Sequence, residues 1–157
     1  MKYVTYLFFI FSFLVIVFTY TSLIYATNTN VDEIRTNFVP NKLITLKELP
    51  DGLNYFRTFA QRAVKPLVDH FGKEPHQLID AAIKLGGYKV NHGDAAVTIN
   101  AFRRVPITIV LWQGDDEFPP AGSVMFDSSI SDYLSCYDIT ELCETIAWKL
   151  VRSHKQR

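Results

Sequence analysis

The first 26 residues constrain the chain most, because they contain a long stretch without charged residues. From Tyr3 to Ala26 there are 24 residues with no charge, proline or glycine. As a helix this stretch would be about 36 Å long, enough to cross a hydrocarbon core of roughly 30 Å. We therefore predict a transmembrane helix at residues 1–26, which would make the protein a single-pass membrane protein.

Two other interpretations of this segment stay open. A cleaved signal peptide has an apolar region of about 7 to 15 residues and small residues before the cut. Here the run is longer, and bulky Ile24 stands at the third position before a cut after Ala26. The third interpretation is a mis-assigned start codon. For an anchored chain, Lys2 favours an inside N-terminus and an extracytoplasmic domain, although Arg35 and Lys42 follow the other end.

The charge and cysteine content exclude several classes of partner. Sixteen basic residues balance sixteen acidic ones, so no excess positive charge is available to neutralise phosphates, and we expect no nucleic-acid partner. Cys136 and Cys143 are too few for a disulfide scaffold or for a four-ligand zinc or iron–sulfur site. We expect no cofactor, with a divalent metal as the one alternative.

Residue periodicity predicts an α+β domain at 43–157, after a linker rich in Thr and Asn at 27–42. Helical spacing of apolar residues predicts helices over 54–72, 75–87 and 138–155. Alternating or β-branched stretches predict strands at 43–46, 88–90, 96–102, 105–112 and 123–126. We expect a small antiparallel sheet of three to four strands with the helices packed on one face.

Two local features of the predicted helices are specific enough to check. Pro66 should kink or split the first helix, because its ring displaces the carbonyl four residues back. Asp138, with Glu141 three residues on, is typical of the N-terminal cap of the last helix. Cys136 would then lie just before that helix, a location that lowers a thiol pKa.

The acid-rich stretch "GDDEFPPAGSVMFDSS" (114–129) is the first candidate site. Asp115, Asp116 and Glu117, with Asp127 further on, supply the carboxylate oxygens that Mg²⁺ or Ca²⁺ prefers. The competing interpretation is a sharp turn between two strands, in which the aspartates bind local amides and Phe118 enters the core. Like charges this close repel one another, which favours the solvated turn.

The stretch "NHGDA" (91–95) is the second candidate site. His92 and Asp94 are the residue types of a metal-ligand or acid–base pair, but such a pair needs a third group from elsewhere in the chain. The same spacing fits a hairpin turn in which the aspartate accepts a backbone hydrogen bond.

Three strings together resemble domain-of-unknown-function family 3786, found mainly in anaerobic bacteria and archaea. They are "ELPDGLNYFRTFAQRAVKPLVDHFG", "LGGYKVNHGDAAVTI" and "VPITIVLWQGDDEFPPAGSVMFDSS", and the resemblance spans about residues 43–153. Some members are joined to iron–sulfur-binding modules, which implies redox or cofactor-handling partners. The chain departs from the family in its membrane-type leader, where members usually have more folded chain, and in Ser135-Cys136, where Pro-Thr is usual.

These observations lead to three hypotheses about function. The first is a membrane-tethered binding or accessory module without catalysis of its own. The second is a metal-dependent enzyme that uses the acidic turn at 115–117. The third, implied by the resemblance alone, is a cofactor-handling partner of iron–sulfur or corrinoid proteins.

Overall fold

The strands form a single antiparallel sheet in the computed structural model, which describes residues 42–155. They are β1 (Leu43–Thr45), β2 (Tyr88–Val90), β3 (Ala95–Phe102), β4 (Val105–Trp112) and β5 (Ala121–Asp127). Their order across the sheet is β1-β5-β4-β3-β2. The prediction of three to four strands is therefore wrong, because both short edge strands also pair, β1 with β5 and β2 with β3.

The helices occupy the two positions that periodicity indicates, before the sheet and after it. They are α1 (Gly52–Phe59), a π-helical segment (Ala60–Val64), α2 (Lys65–Phe71), α3 (His76–Lys84) and α4 (Cys136–Lys155). Short 3₁₀ turns at Leu46–Glu48 and Ser128–Asp132 follow β1 and β5. The described residues belong to one compact unit, 40–157, and the class is α+β as expected.

Side chains from one face of the sheet pack with the helices into one hydrophobic core. The strand residues in it include Val97, Ile99, Ile107, Ile109, Leu111, Val124 and Phe126. The helix residues in it include Phe59, Leu67, Phe71, Leu78, Ile139 and Leu150. The rings of Phe59 and Phe126 meet edge to face with 6.0 Å between centroids, a favourable geometry that joins α1 to β5.

The π-helical segment allows the helix to accommodate Pro66 and still keep its apolar side chains packed against the core. Phe59, Ala63, Leu67 and Phe71 are all buried, yet a spacing of four residues drifts by about 40° per step in an α-helix. The wider π turn takes up an extra residue and cancels most of that drift. Because Lys65 N–H bonds to the carbonyl of Ala60, the hydrogen-bond pattern is already shifted where the proline ring enters. Pro66 is thus absorbed by a bulge within the helix.

The last helix begins two residues earlier than predicted, and its cap lies at Ser135 instead of Asp138. Ser135 Oγ accepts from Asp138 N at 3.2 Å, and Asp138 Oδ2 accepts from Ser135 N at 3.2 Å. These reciprocal bonds are a capping box with Ser135 as the cap, which displaces the box expected at Asp138 and Glu141. Cys136 and Cys143 consequently lie in the same helix, where seven residues span about 10.5 Å, too far for a disulfide; both are free thiols.

The prediction of a transmembrane helix needs correction. No helix within residues 42–155 is both long enough and apolar enough to cross a membrane. The 20-residue helix α4 has the length of a span, but charged side chains such as Glu144, Lys149 and Arg152 recur along it, and these are costly in hydrocarbon. The predicted anchor (1–26) lies outside the described residues. The assignments of a single-pass membrane protein and of a membrane location are not supported and are not retained.

Candidate functional site

Sheet topology brings the two sequence-predicted sites to the same end of the sheet. Ala95 pairs with Leu111, and Trp112 pairs with Ala121, so the β2–β3 loop and the β4–β5 loop are neighbours. The acids at 115–117 belong to the second loop, and His92 and Asp94 to the first. Asp127 ends β5 at the opposite end of the sheet, where it pairs with Leu43.

Asp115 organises its own loop. Its Oδ1 accepts hydrogen bonds from the backbone N–H groups of Phe118, at 2.7 Å, and of Glu117, at 2.9 Å. These two bonds lower the pKa of the Asp115 carboxyl, Phe118 first and Glu117 second. The geometry is that of an Asx turn, which supports the turn interpretation. The expectation that Phe118 enters the core is wrong, since 67% of its side chain is exposed.

Asp94 connects the two loops. Its Oδ2 accepts from Gln113 N at 2.7 Å, and its own N–H donates to Leu111 O at 3.0 Å. His92 is exposed in the preceding bend. The contacts of Asp94 are those of a residue that fixes loop geometry, in keeping with the hairpin interpretation.

Asp127 acts locally at the far end of β5. Its side chain is buried, and its Oδ1 accepts from Ser129 N at 2.9 Å and from Ser129 Oγ at 2.5 Å, which caps the following 3₁₀ turn. Asp127 therefore does not join the acidic loop. Within residues 42–155, no group of three or more His, Cys, Asp or Glu side chains is placed to hold a metal ion.

A cavity that sequence analysis missed lies where the turn before α1 meets the beginning of α4. We call it the α4 cavity; its volume is about 260 Å³. Its walls come from Leu49, Pro50, Asp51, Tyr55, Ser131, Leu134, Ser135, Cys136, Tyr137 and Ile139. Two segments that are distant in sequence, 49–55 and 131–139, thus meet around one space.

The turn that forms one wall has an unusual backbone. Asp51 has φ = 60° and is the one non-glycine residue between 42 and 155 with a positive φ. A left-handed conformation costs about 1 kcal/mol or more in an L-residue, least in Asp or Asn. Gly52 follows because a Cβ there would lie 1.7 Å from Leu46 O. The Asp51 side chain makes no capping hydrogen bond to α1.

Cys136 lines the cavity next to this turn and is held as a neutral thiol. Its Sγ donates to Pro50 O at 3.0 Å. Burial, and then the negative charge of Asp51, raise the pKa of the Cys136 thiol. The prediction that the helix start lowers this pKa is therefore wrong, because desolvation and a neighbouring carboxylate both raise it.

Another cavity, of about 300 Å³, lies between β5 and α1 and is lined in part by Lys47, Phe56 and Val64. The ammonium of Lys47 already sits 4.1 Å from the centroid of the Phe56 ring. One face of that ring is therefore occupied within the protein itself. No carboxylate lines this cavity among the residues 42–155, whereas Asp51 lines the α4 cavity.

A pair of histidines joins α2 to the end of α4 and was also missed from the sequence. His70 Nε2 and His154 Nδ1 are 2.9 Å apart, and both rings contact Phe71 edge to face. Burial first, and then the charges of His154 and Lys155, lower the pKa of His70. The pair thus couples the packing of two helices to protonation.

Comparison with known proteins identifies the chain at the level of a family. The family model described as "Domain of unknown function (DUF3786)" matches residues 20–148, which is more than half of the chain. No curated protein and no solved structure matches it. The resemblance drawn from three sequence strings is confirmed. The chain belongs to the DUF3786 family.

Proposed function

We propose that this domain is a binding module without catalysis of its own, and that the α4 cavity is its ligand site. The observation that carries the proposal is the cavity itself. Small-molecule sites are concave, mostly apolar, and contain a few convergent polar groups. The α4 cavity has apolar walls from Leu49, Leu134 and Ile139, and Asp51 is a charged group in its lining.

The state of the thiol favours binding over covalent chemistry. A cysteine nucleophile acts as a thiolate, and nucleophilic cysteines are found where positive charge or a helix start lowers the pKa. The pKa of Cys136 is raised instead, and its proton is directed at Pro50 O. Cys136 therefore serves as a polar part of the wall and holds the turn at Pro50 to α4.

The strained turn supports the same proposal. A residue held in a sparsely populated backbone region persists only where the surrounding structure fixes it, and such residues cluster at ligand sites. Asp51 has such a conformation, and its carboxylate lies beside the cavity without a capping role.

The test is a fragment screen of the full chain by amide NMR, with a variant that fills the cavity. Ser131 is exposed and lines the cavity, so Ser131→Trp should block it without disturbing the core. Thr145→Trp, at an exposed position of α4 outside the cavity, is the matched control. We expect fragments to shift the amides around the cavity in the wild type and in the control, but not in Ser131→Trp.

The proposal fails if no fragment shifts those amides, or if Ser131→Trp binds as well as the wild type. The metal-dependent enzyme and the cofactor-handling partner stay predictions. Titration with Mg²⁺ in the same assay tests the first of them. Saturable shifts at residues 115–117 that vanish in Asp115→Asn combined with Asp116→Asn would favour that enzyme over a binding module.

A further inference from the structure

We infer that the α4 cavity selects a small organic cation, such as an alkylated or quaternary ammonium group. This inference rests on the proposed function and adds the chemical class of the ligand. It follows from three properties of the cavity, namely its charge, its aromatic rings and the protonation state of its thiol.

The charge of the lining has one sign. Asp51 contributes a carboxylate, and none of the lining residues within the described range 42–155 is Lys, Arg or His. A concave surface lined by one sign of charge concentrates ions of the opposite sign. A second carboxylate, that of Asp138, lies in the first turn of α4, where its Oδ2 accepts hydrogen bonds from Ser135 N and Ser135 Oγ. The first residues of α4, Cys136 and Tyr137, add the positive partial charge of a helix N-terminus, but Asp51 carries the full charge among the described lining residues and would repel an anionic ligand.

The aromatic residues of the lining suit a cation with apolar substituents. Tyr55 and Tyr137 both line the cavity and are 37% and 55% exposed. The face of a tyrosine ring attracts an ammonium group, by about 0.5–1 kcal/mol when exposed and about 2 kcal/mol when desolvated. Leu134, which is partly buried, and Leu49 provide apolar contact for alkyl groups. A metal ion or a bare ammonium ion has no such groups.

The Cys136 thiol is uncharged and adds no second negative charge to the lining. Because burial and Asp51 raise the pKa of Cys136, its sulfur stays protonated and uncharged near neutral pH. Asp51 is therefore the charged side chain among the described lining residues, and discrimination between charged and uncharged ligands should depend on it.

The test compares choline with its uncharged carbon analogue, in which a carbon atom replaces the quaternary nitrogen. The two probes have the same shape, so a difference in affinity reports charge alone. Titrations of the full chain, followed by amide NMR, should show choline binding about tenfold more tightly than the analogue. The shifts should be centred on the α4 cavity.

Asp51→Asn removes the charge, and asparagine tolerates the left-handed backbone, so this variant should fold. We expect the two probes to bind it with affinities that agree within about threefold. Asp132→Asn is the matched control: the same charge is removed from the exposed 3₁₀ turn nearby, at a residue that does not line the cavity. The control should keep the preference for choline.

The outcomes separate this inference from the proposed function. Equal binding of both probes to the wild type would overturn the cation preference and leave the binding module intact. Equal loss of choline affinity in Asp51→Asn and Asp132→Asn would also overturn it, by showing attraction to the general surface charge. If neither probe binds, the inference is wrong, and the fragment screen decides separately whether the cavity binds ligands at all.

Discussion

The buried threonine pair between β3 and β4 allows a test of whether a hydrogen bond between two side chains stabilises the centre of the sheet. Thr98 and Thr108 are direct cross-strand partners, their hydroxyl oxygens are 2.8 Å apart, and each side chain is 4% exposed. Replacing one of them by valine keeps the shape and the β-branching but removes one hydroxyl. The remaining hydroxyl is then buried without this partner.

The expected loss of stability follows from the hydroxyl that each single change leaves buried without its partner. An intramolecular hydrogen bond contributes about 1 kcal/mol net, and a buried polar group left unsatisfied costs about 1–3 kcal/mol. Thr98→Val and Thr108→Val should each lower the free energy of unfolding by about 2 kcal/mol, or the melting temperature by roughly 4–8 °C for a chain of this size. The double variant buries two valines and leaves no hydroxyl behind, so it should cost less than either single change.

Urea denaturation of the three variants, followed by circular dichroism, measures these differences. Thr145→Val is the matched control, because its hydroxyl donates to Glu141 O at an exposed site of α4; it should change stability by no more than about 0.5 kcal/mol. If the double variant is destabilised by the sum of the two single changes, the hydroxyls act independently, and the reasoning from their mutual hydrogen bond is refuted.

Three further outcomes are expected from the described geometry. Ser135→Ala removes the cap of α4 and should lower the free energy of unfolding by about 1 kcal/mol in urea titration, whereas an unchanged midpoint would exclude the capping role. The folded-state pKa of His70 lies below its usual 6.5, so the unfolded chain takes up the proton first on acidification. Stability should therefore fall as the pH decreases from 6.5 through that lower pKa, and His70→Gln should flatten the dependence in denaturation midpoints measured across this range. In the native protein a thiol reagent should modify Cys136, in the cavity wall, before Cys143, which is 3% exposed and whose pKa burial also raises; equal rates would contradict this order.

The central strands and the helix stripes were predictable because their signals are local. The stretch "VPITIVLW" of β4 is almost all apolar or β-branched, and it is buried from Val105 to Leu111. The edge pairing of β1 with β5 was not predictable, since it joins residues 43–45 to 125–127 across most of the domain. A single sequence indicates where strands form but not which distant strand completes the sheet.

The beginning of α4 shows how two valid local patterns compete. Both Ser135 with Asp138 and Asp138 with Glu141 have the spacing of a capping box. The choice between them depends on the chain before the helix, where Cys136 Sγ bonds to Pro50 O and holds the earlier turn in place. That contact joins residues 86 apart, and periodicity carries no information about it.

The candidate sites were only partly predictable, because some of their contacts join residues that are far apart in sequence. The turn chemistry of Asp115 and Asp94 follows from local rules, and the hydrogen bonds agree with them. The α4 cavity depends on two segments, 49–55 and 131–139, that meet only in the folded chain. The sequence did contain one local signal near it, the turn Pro50-Asp51-Gly52. This turn contains the residue with left-handed backbone that lines the cavity, Asp51.

The π-helical segment and Pro66 compensate for each other, so removing either one alone should disturb the helix. Deleting one residue from Ala60–Val64 would restore an α-helix and keep Phe59 and Phe71 in phase, but it would drive the proline ring into a regular backbone. Replacing Pro66 by alanine would remove the ring and leave the surplus residue in place. Only the two changes together give an unbroken helix with the same core contacts, so an intermediate with the deletion alone would be disfavoured.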